Sequence, residues 1–126
     1  PAGLGPGFRL AVCGADRAIV VAVSDPSSLR DAQRVVTQLS QLETIHLVVN
    51  RVRPRLLRRQ NTTIDDAMDT AGLPLLGLVP EDPKVVLAAT EGRPLAQLGA
   101  RRGAVRAYEN IARRLTGQPV PLMGLR

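Results

Sequence analysis

Aromatic side chains are nearly absent from this chain. Phe8 and Tyr108 are the only two, and there is no tryptophan. A core for 126 residues must then be built from Val, Leu, Ile and Ala, the residues that fill strands buried in parallel sheets. The same scarcity leaves few platforms for stacking nucleic-acid bases. Lysine is scarce too: Lys84 stands alone, so the net charge of +6 rests on arginine. Such a surface attracts phosphate, nucleic acid or anionic lipid, or is scattered, solvated charge. A single cysteine, Cys13, excludes a disulfide framework and a cysteine metal cluster, and it fits a reducing compartment. No apolar run approaches the ~18 residues of a membrane span. No GxxxxGK[ST] phosphate loop occurs in the sequence.

What is present alternates between two kinds of segment. Residues 6–14 follow a Gly-Pro-Gly stretch and predict a short helix carrying Phe8, Leu10 and Val12. Ala18-Ile-Val-Val-Ala-Val23 predicts a strand buried on both faces. Ser24-Asp25-Pro26-Ser27 supplies turn and cap chemistry, and Leu29, Ala32, Val35, Val36 and Leu39 then recur at helical spacing. Ile45-His-Leu-Val-Val49 predicts a second strand, with Asn50-Arg51 at its end before the loop Val52-Arg-Pro-Arg55. Thr62-Thr-Ile-Asp-Asp66 opens a helix that Gly72 closes. Leu75-Leu-Gly-Leu-Val79 predicts a third strand, ended by Pro80-Glu-Asp-Pro83, and a short helix covers 83–90. The last helix, to about Leu115, is expected to turn Leu98, Val105, Tyr108, Ile111, Ala112 and Leu115 inward. The tail from Gln118 reads as an extended strap. Strand and helix in alternation define an α/β, doubly wound parallel sheet, whose ligands bind beyond the C-terminal strand ends.

Three constellations carry possible chemistry. The small residues Pro1-Ala2-Gly3 would let backbone N–H groups approach a phosphate, or are a plain terminus. The amide of Asn50 donates and accepts at once, so it matches an adenine edge, although Asn is also a turn former. Arg51 would stack on a base or pair with a carboxylate, or is surface charge. The fixed Pro80 presents a carbonyl to an exocyclic amine; alternatively Pro80-Glu81-Asp82-Pro83 is a strand-to-helix turn capped by Asp82. His46 reads as a core or edge histidine. Asp65, Asp66 and Asp69 read as one solvated helix face, since a metal needs convergent ligands. Arg101, Arg102, Arg106, Arg113 and Arg114 lie opposite the apolar stripe of the last helix, as a solvated face or as a lipid- or nucleic-acid-binding one.

In order, the segments PAG at 1–3, ADRAIVVAVSDPSSLRDAQRV at 15–35, LVVNRVRP at 47–54, GLPLLGLVPED at 72–82, EGRPL at 91–95 and NIARRLTGQPVPLM at 110–123 resemble the C-terminal half of a MinD-type ATPase. That group of deviant P-loop NTPases also holds ParA partition ATPases and nitrogenase iron protein. The resemblance implies that residues 1–117 are the second half of the nucleotide-binding domain. Residues 118–126 would be a strap leading toward a membrane-targeting helix absent from this sequence. It implies that ATP and Mg2+ are the cofactors, and that the P-loop, the first strands and the catalytic residues lie before Pro1.

By the same resemblance, Pro1, Ala2 and Gly3 finish a loop that senses the γ-phosphate. Asn50 reads the adenine edge, Arg51 flanks the base, the Pro80 carbonyl accepts from the adenine amino group, and Glu81 and Asp82 lie near ring and ribose. The helix that begins at Ser27 would sit at an ATP-dependent dimer face, with Asp25, Arg30 and Asp31 contacting partners. Those partners would be a second copy, a septum inhibitor and a regulator that stimulates hydrolysis. The implied function is a switch that positions the division septum at the inner face of the membrane, peripheral and cytoplasmic, with nucleic acid an unlikely partner. A ParA-like partition or flagellar-number ATPase and a non-enzymatic docking module without a P-loop are the alternatives. An exposed sheet edge predicts that the segment alone is poorly stable and prone to aggregate.

Overall fold

In the computed structural model, which describes residues 3–59, 63–98 and 102–122, three apolar runs pair as a parallel sheet in the order β1-β2-β3. The elements run α1 (Pro6–Val12), β1 (Arg17–Val23), α2 (Pro26–Thr37), β2 (Thr44–Val52), α3 (Pro54–Arg59), α4 (Ile64–Ala71), β3 (Leu75–Pro80), α5 (Pro83–Thr90), a 3-10 turn (Leu95–Gln97) and α6 (Gly103–Leu115). The expected alternation of strand and helix is therefore present.

Local chemistry fixes most boundaries. Asp25 caps α2 by accepting from the N–H groups of Ser27 and Ser28, each at 3.0 Å, with Pro26 pre-set for the first turn. Thr63 and Asp66 form a reciprocal capping box at α4. Hydrogen bonds from Thr63 hold the Asp66 carboxyl below its usual pKa. Gly72 ends that helix in the left-handed conformation, φ 67°, which glycine adopts without a Cβ penalty.

Two cores lie on opposite faces of the sheet. One gathers Val20, Ala22, Leu47, Val49 and Leu78 from the strands against α2 and α4. The other packs Val48, Leu76 and Val79 beneath Ala104, Ala107 and Ile111 of α6. Gly77 belongs to this second face: a Cβ there would collide with Ile111 Cγ1 and lie 3.0 Å from its Cδ1.

Several expectations are corrected. β1 is not buried on both faces: Val20 and Ala22 are buried, but Ile19 and Val21 are exposed. Their register partners are His46 and Val48, so they share the face that α6 covers, but α6 reaches only β2 and β3. β2 runs on to Val52, and the segment read as a loop continues into α3. Leu10 is almost fully exposed. On α6 the buried stripe is Ala104, Val105, Ala107, Asn110 and, in part, Ile111. Tyr108, Ala112 and Leu115 point outward, because small alanines let the helix lie close to β3. Leu98 lies before the helix. The arginines of this helix are not one solvated face: Arg114 turns inward, donating to the carbonyls of Leu76 (2.6 Å), Val120 (2.9 Å) and Pro121 (2.6 Å). These bonds hold the extended strap at 118–122 against β3.

Candidate functional site

Beyond the C-terminal ends of β2 and β3 the backbone departs from regular pairing. Val49 pairs with Leu78 and Val52 with Pro80, so three steps on β2 match two on β3. One extra residue is inserted there, a bulge of the kind that re-aims side chains beside binding sites. Arg51 sits within it at φ 52°, the one positive-φ residue other than glycine among the described residues. That conformation costs an ordinary residue roughly 1–2 kcal/mol. Part of the compensation is visible: the Arg51 N–H donates to Asn50 Oδ1 at 2.9 Å. The bond fixes which way the Asn50 amide faces and leaves its NH2 group free to donate outward.

Asn50, Pro80, Glu81, Asp82, Val86 and Tyr108 meet around a cleft of about 690 Å3, within the size range of small-molecule sites. Tyr108 and Val86, both partly exposed, give it an apolar wall. All five residues expected at the base, Asn50, Arg51, Pro80, Glu81 and Asp82, line this one cleft.

Their charges are already engaged. Glu81 accepts from Arg53 Nε, from Arg53 Nη2 at 2.6 Å and more weakly from Arg51 Nη2 at 3.4 Å. The Arg53 hydrogen bonds pull the Glu81 carboxyl below its ordinary pKa of 4.5. Arg53 is a residue sequence reasoning passed over; its spacing from Glu81 carries no local signal. Asp82 starts two helices at once: one oxygen accepts from Lys84 N at 3.0 Å to cap α5, the other from Ala104 N of α6 at 3.2 Å. Gly103 makes room for this, since a Cβ there would collide with Asp82 Oδ2. Asp82 thus shapes the cleft more than it offers a free carboxylate to a ligand.

The other expected residues are spread out. Pro1 and Ala2 lie outside the described residues. Gly3 lines a separate apolar groove along β1 with Phe8 and Val12, away from the cleft at Asn50. Asp25, while capping α2, also faces Arg51, Arg53 and Glu81 across a small cavity of about 190 Å3. Arg30 is exposed, and Asp31 pairs loosely with Arg34 at 3.4 Å on the outer surface of α2. Among the described residues no three His, Cys, Asp or Glu side chains converge as metal ligands. No described helix is long and apolar enough to cross a membrane. The donors and carbonyl at the cleft suit a purine base.

A three-stranded parallel sheet with flanking helices and a cleft past its strand ends is the architecture of the C-terminal half of a MinD/ParA P-loop NTPase. Known proteins agree. The septum site-determining protein MinD of Bacillus subtilis is 43% identical over 129 aligned residues, an alignment covering 99% of this chain and 48% of that protein. The solved MinC:MinD cell division complex of Aquifex aeolicus superposes with a TM-score of 0.90 at 34% identity, covering 98% of this chain and 52% of the matched one. MinD of Pyrococcus horikoshii, solved with Mg-ADP, gives 0.77 at 26% identity over 91% of this chain and 47% of that one. No family model matches. The chain is homologous over nearly its whole length to the MinD septum site-determining proteins, and it spans about half the length of the curated relatives it matches.

Proposed function

We propose that this chain is the base-reading half of an ATP-dependent switch of the MinD kind. The convergence of the Asn50 amide and Pro80 on one apolar-walled cleft at the strand ends carries the reading. The free NH2 of Asn50 would donate to a ring nitrogen of adenine, and the Pro80 carbonyl would accept from its amino group. Arg51 would flank the ring, while Glu81 and Asp82 would hold the cleft's rim in shape. Pro1, Ala2 and Gly3 would belong to the loop that senses the γ-phosphate. Mg2+ and the catalytic groups would be held by residues outside this sequence, where catalysis is mostly positioning and charge neutralisation.

The complete switch would dimerise with ATP bound, recruit a division inhibitor to the membrane and be reset by a regulator that stimulates hydrolysis. Asp25, Arg30 and Asp31 on the α2 side would contact these partners. The Aquifex MinD solved in complex with MinC supports an inhibitor as one of them. Peripheral residence at the inner membrane follows from the same reading.

The test is discrimination between ATP and GTP, measured by calorimetry with Mg2+ on the product of the complete reading frame. Asn50→Ala removes one directed hydrogen bond, so the preference for ATP should fall about tenfold. An unchanged ratio of the two affinities would overturn the assignment of this cleft to the base.

A further inference from the structure

One flank of α6, at the border of its buried stripe, and the strap enclose a second cleft, of about 510 Å3, lined by Arg106, Asn110, Arg113 and the strap residues Pro119 to Leu122. Three observations mark it as built for a ligand. Asn110 is 8% exposed, the one buried polar side chain among the described residues, and the cleft is where its amide opens. No described residue hydrogen-bonds that amide, and its atoms are not sealed from solvent, so its donor and acceptor face the cleft. Arg106 and Arg113, one turn to either side of Asn110 on the same face, make no ion pair or hydrogen bond through their guanidinium groups with any described residue. The opposite wall is fixed in place, because Arg114 holds the carbonyls of Val120 and Pro121.

We infer that this cleft is an oxyanion site for a phosphate group, distinct from the cleft at Asn50. Two guanidinium forks present paired N–H donors to phosphate oxygens. The Asn110 NH2 supplies a neutral donor at the floor. The phosphate would be free in solution or carried on a lipid headgroup; the chemistry of recognition is shared. The inference also divides the arginines of this helix by role: Arg114 is structural, whereas Arg106 and Arg113 are left for a ligand.

The experiment follows the side-chain amide resonance of Asn110 by NMR in the 15N-labelled product of the complete reading frame. It is titrated separately with inorganic phosphate, phosphatidylglycerol vesicles and phosphatidylcholine vesicles. Saturable movement with inorganic phosphate at about 1 mM or below assigns a free phosphate. Movement with phosphatidylglycerol vesicles, but not with phosphatidylcholine ones or free phosphate, assigns an anionic headgroup.

In either case Arg106→Gln with Arg113→Gln, both exposed and expected to leave the fold intact, should weaken binding at least tenfold. The control Arg30→Gln should leave it unchanged. No saturable movement with any probe, full affinity in the double variant, or an equal loss in the control would overturn the site. Asn110→Leu tests the floor, and the two arginine changes decide the matter if that variant fails to fold.

Discussion

β1 and β3 flank the same central strand and are both mostly apolar, yet they are secured in different ways. β3 is tied to distant parts of the chain. Arg114 of α6 donates to the Leu76 carbonyl, Asp82 accepts from the first turn of α6, and Arg53 bonds Glu81 from the end of β2. Both faces of β3 are packed. β1 is tied locally: Val23 N donates to Ser28 Oγ at 3.1 Å, and Asp25 caps the next helix. One of its faces is bare at Ile19 and Val21. The candidate base site lies on the tied side, where cross-linked loops can hold an amide and a carbonyl at fixed positions.

The comparison breaks most sharply at Gly77. Its position opposite Val48 and beneath Ile111 leaves no room for a side chain. Ile111 is β-branched and stiff at χ1, so it cannot swing aside, and α6 would have to lift. Gly77→Val should cost roughly 3 kcal/mol, read as a lowered midpoint in urea unfolding of the 126-residue chain. A loss under about 1 kcal/mol would mean that α6 does not sit closely on β3.

The local ties of β1 and the long-range ties of β3 also explain what could be read in advance. Asp25-Pro26, Asp82-Pro83 and Gly72 announce helix ends through chemistry contained within a few residues, and the three strands follow from short apolar runs. Asn50 and Pro80 were legible as strand-end residues, and the structure places them at one cleft. The second bond of Asp82 was not legible, because Ala104 lies 22 residues away. The bulge at Arg51 has no glycine to signal it. The face of α6 was misjudged because Ala104 and Ala107 bury more completely than the larger Tyr108. Burial there is decided by how close the helix lies to β3. α3 escaped notice because Pro-Arg-Leu-Leu-Arg-Arg is too short for a helical period to emerge.

A smaller effect should follow from the tie between Arg53 and Glu81. Arg53 lowers the Glu81 pKa in the folded protein. A depressed carboxylate pKa contributes stability above its unfolded value, near 4.5, and loses it as pH falls through the folded value. Glu81→Gln should therefore melt below the parent at pH 7, and the gap should close as pH falls below 4.5 and through the lowered folded value. The group is exposed, so the gap at pH 7 should be smaller than that from Gly77→Val. A gap that persists unchanged at low pH would assign the effect to packing, with charge excluded.

The smallest effect is expected on the bare side. Val21 and Val48 are register partners on one face of the sheet, yet Val21 is 60% exposed and Val48 5%. Threonine matches valine in shape and in strand preference, so the substitution reports whether a hydroxyl at that place loses water. In the 126-residue chain Val21→Thr should change stability by no more than about 0.5 kcal/mol. Val48→Thr, beneath α6, should cost roughly 1–3 kcal/mol, the penalty for an unpaired buried hydroxyl. Equal losses at the two positions, measured by urea unfolding, would mean that the face of β1 is covered in solution. The contrast between a tied strand and an open one would then fail. A difference of the expected size would leave the β1 face wet and would make the covering of β3 by α6 the reason that the two strands behave differently.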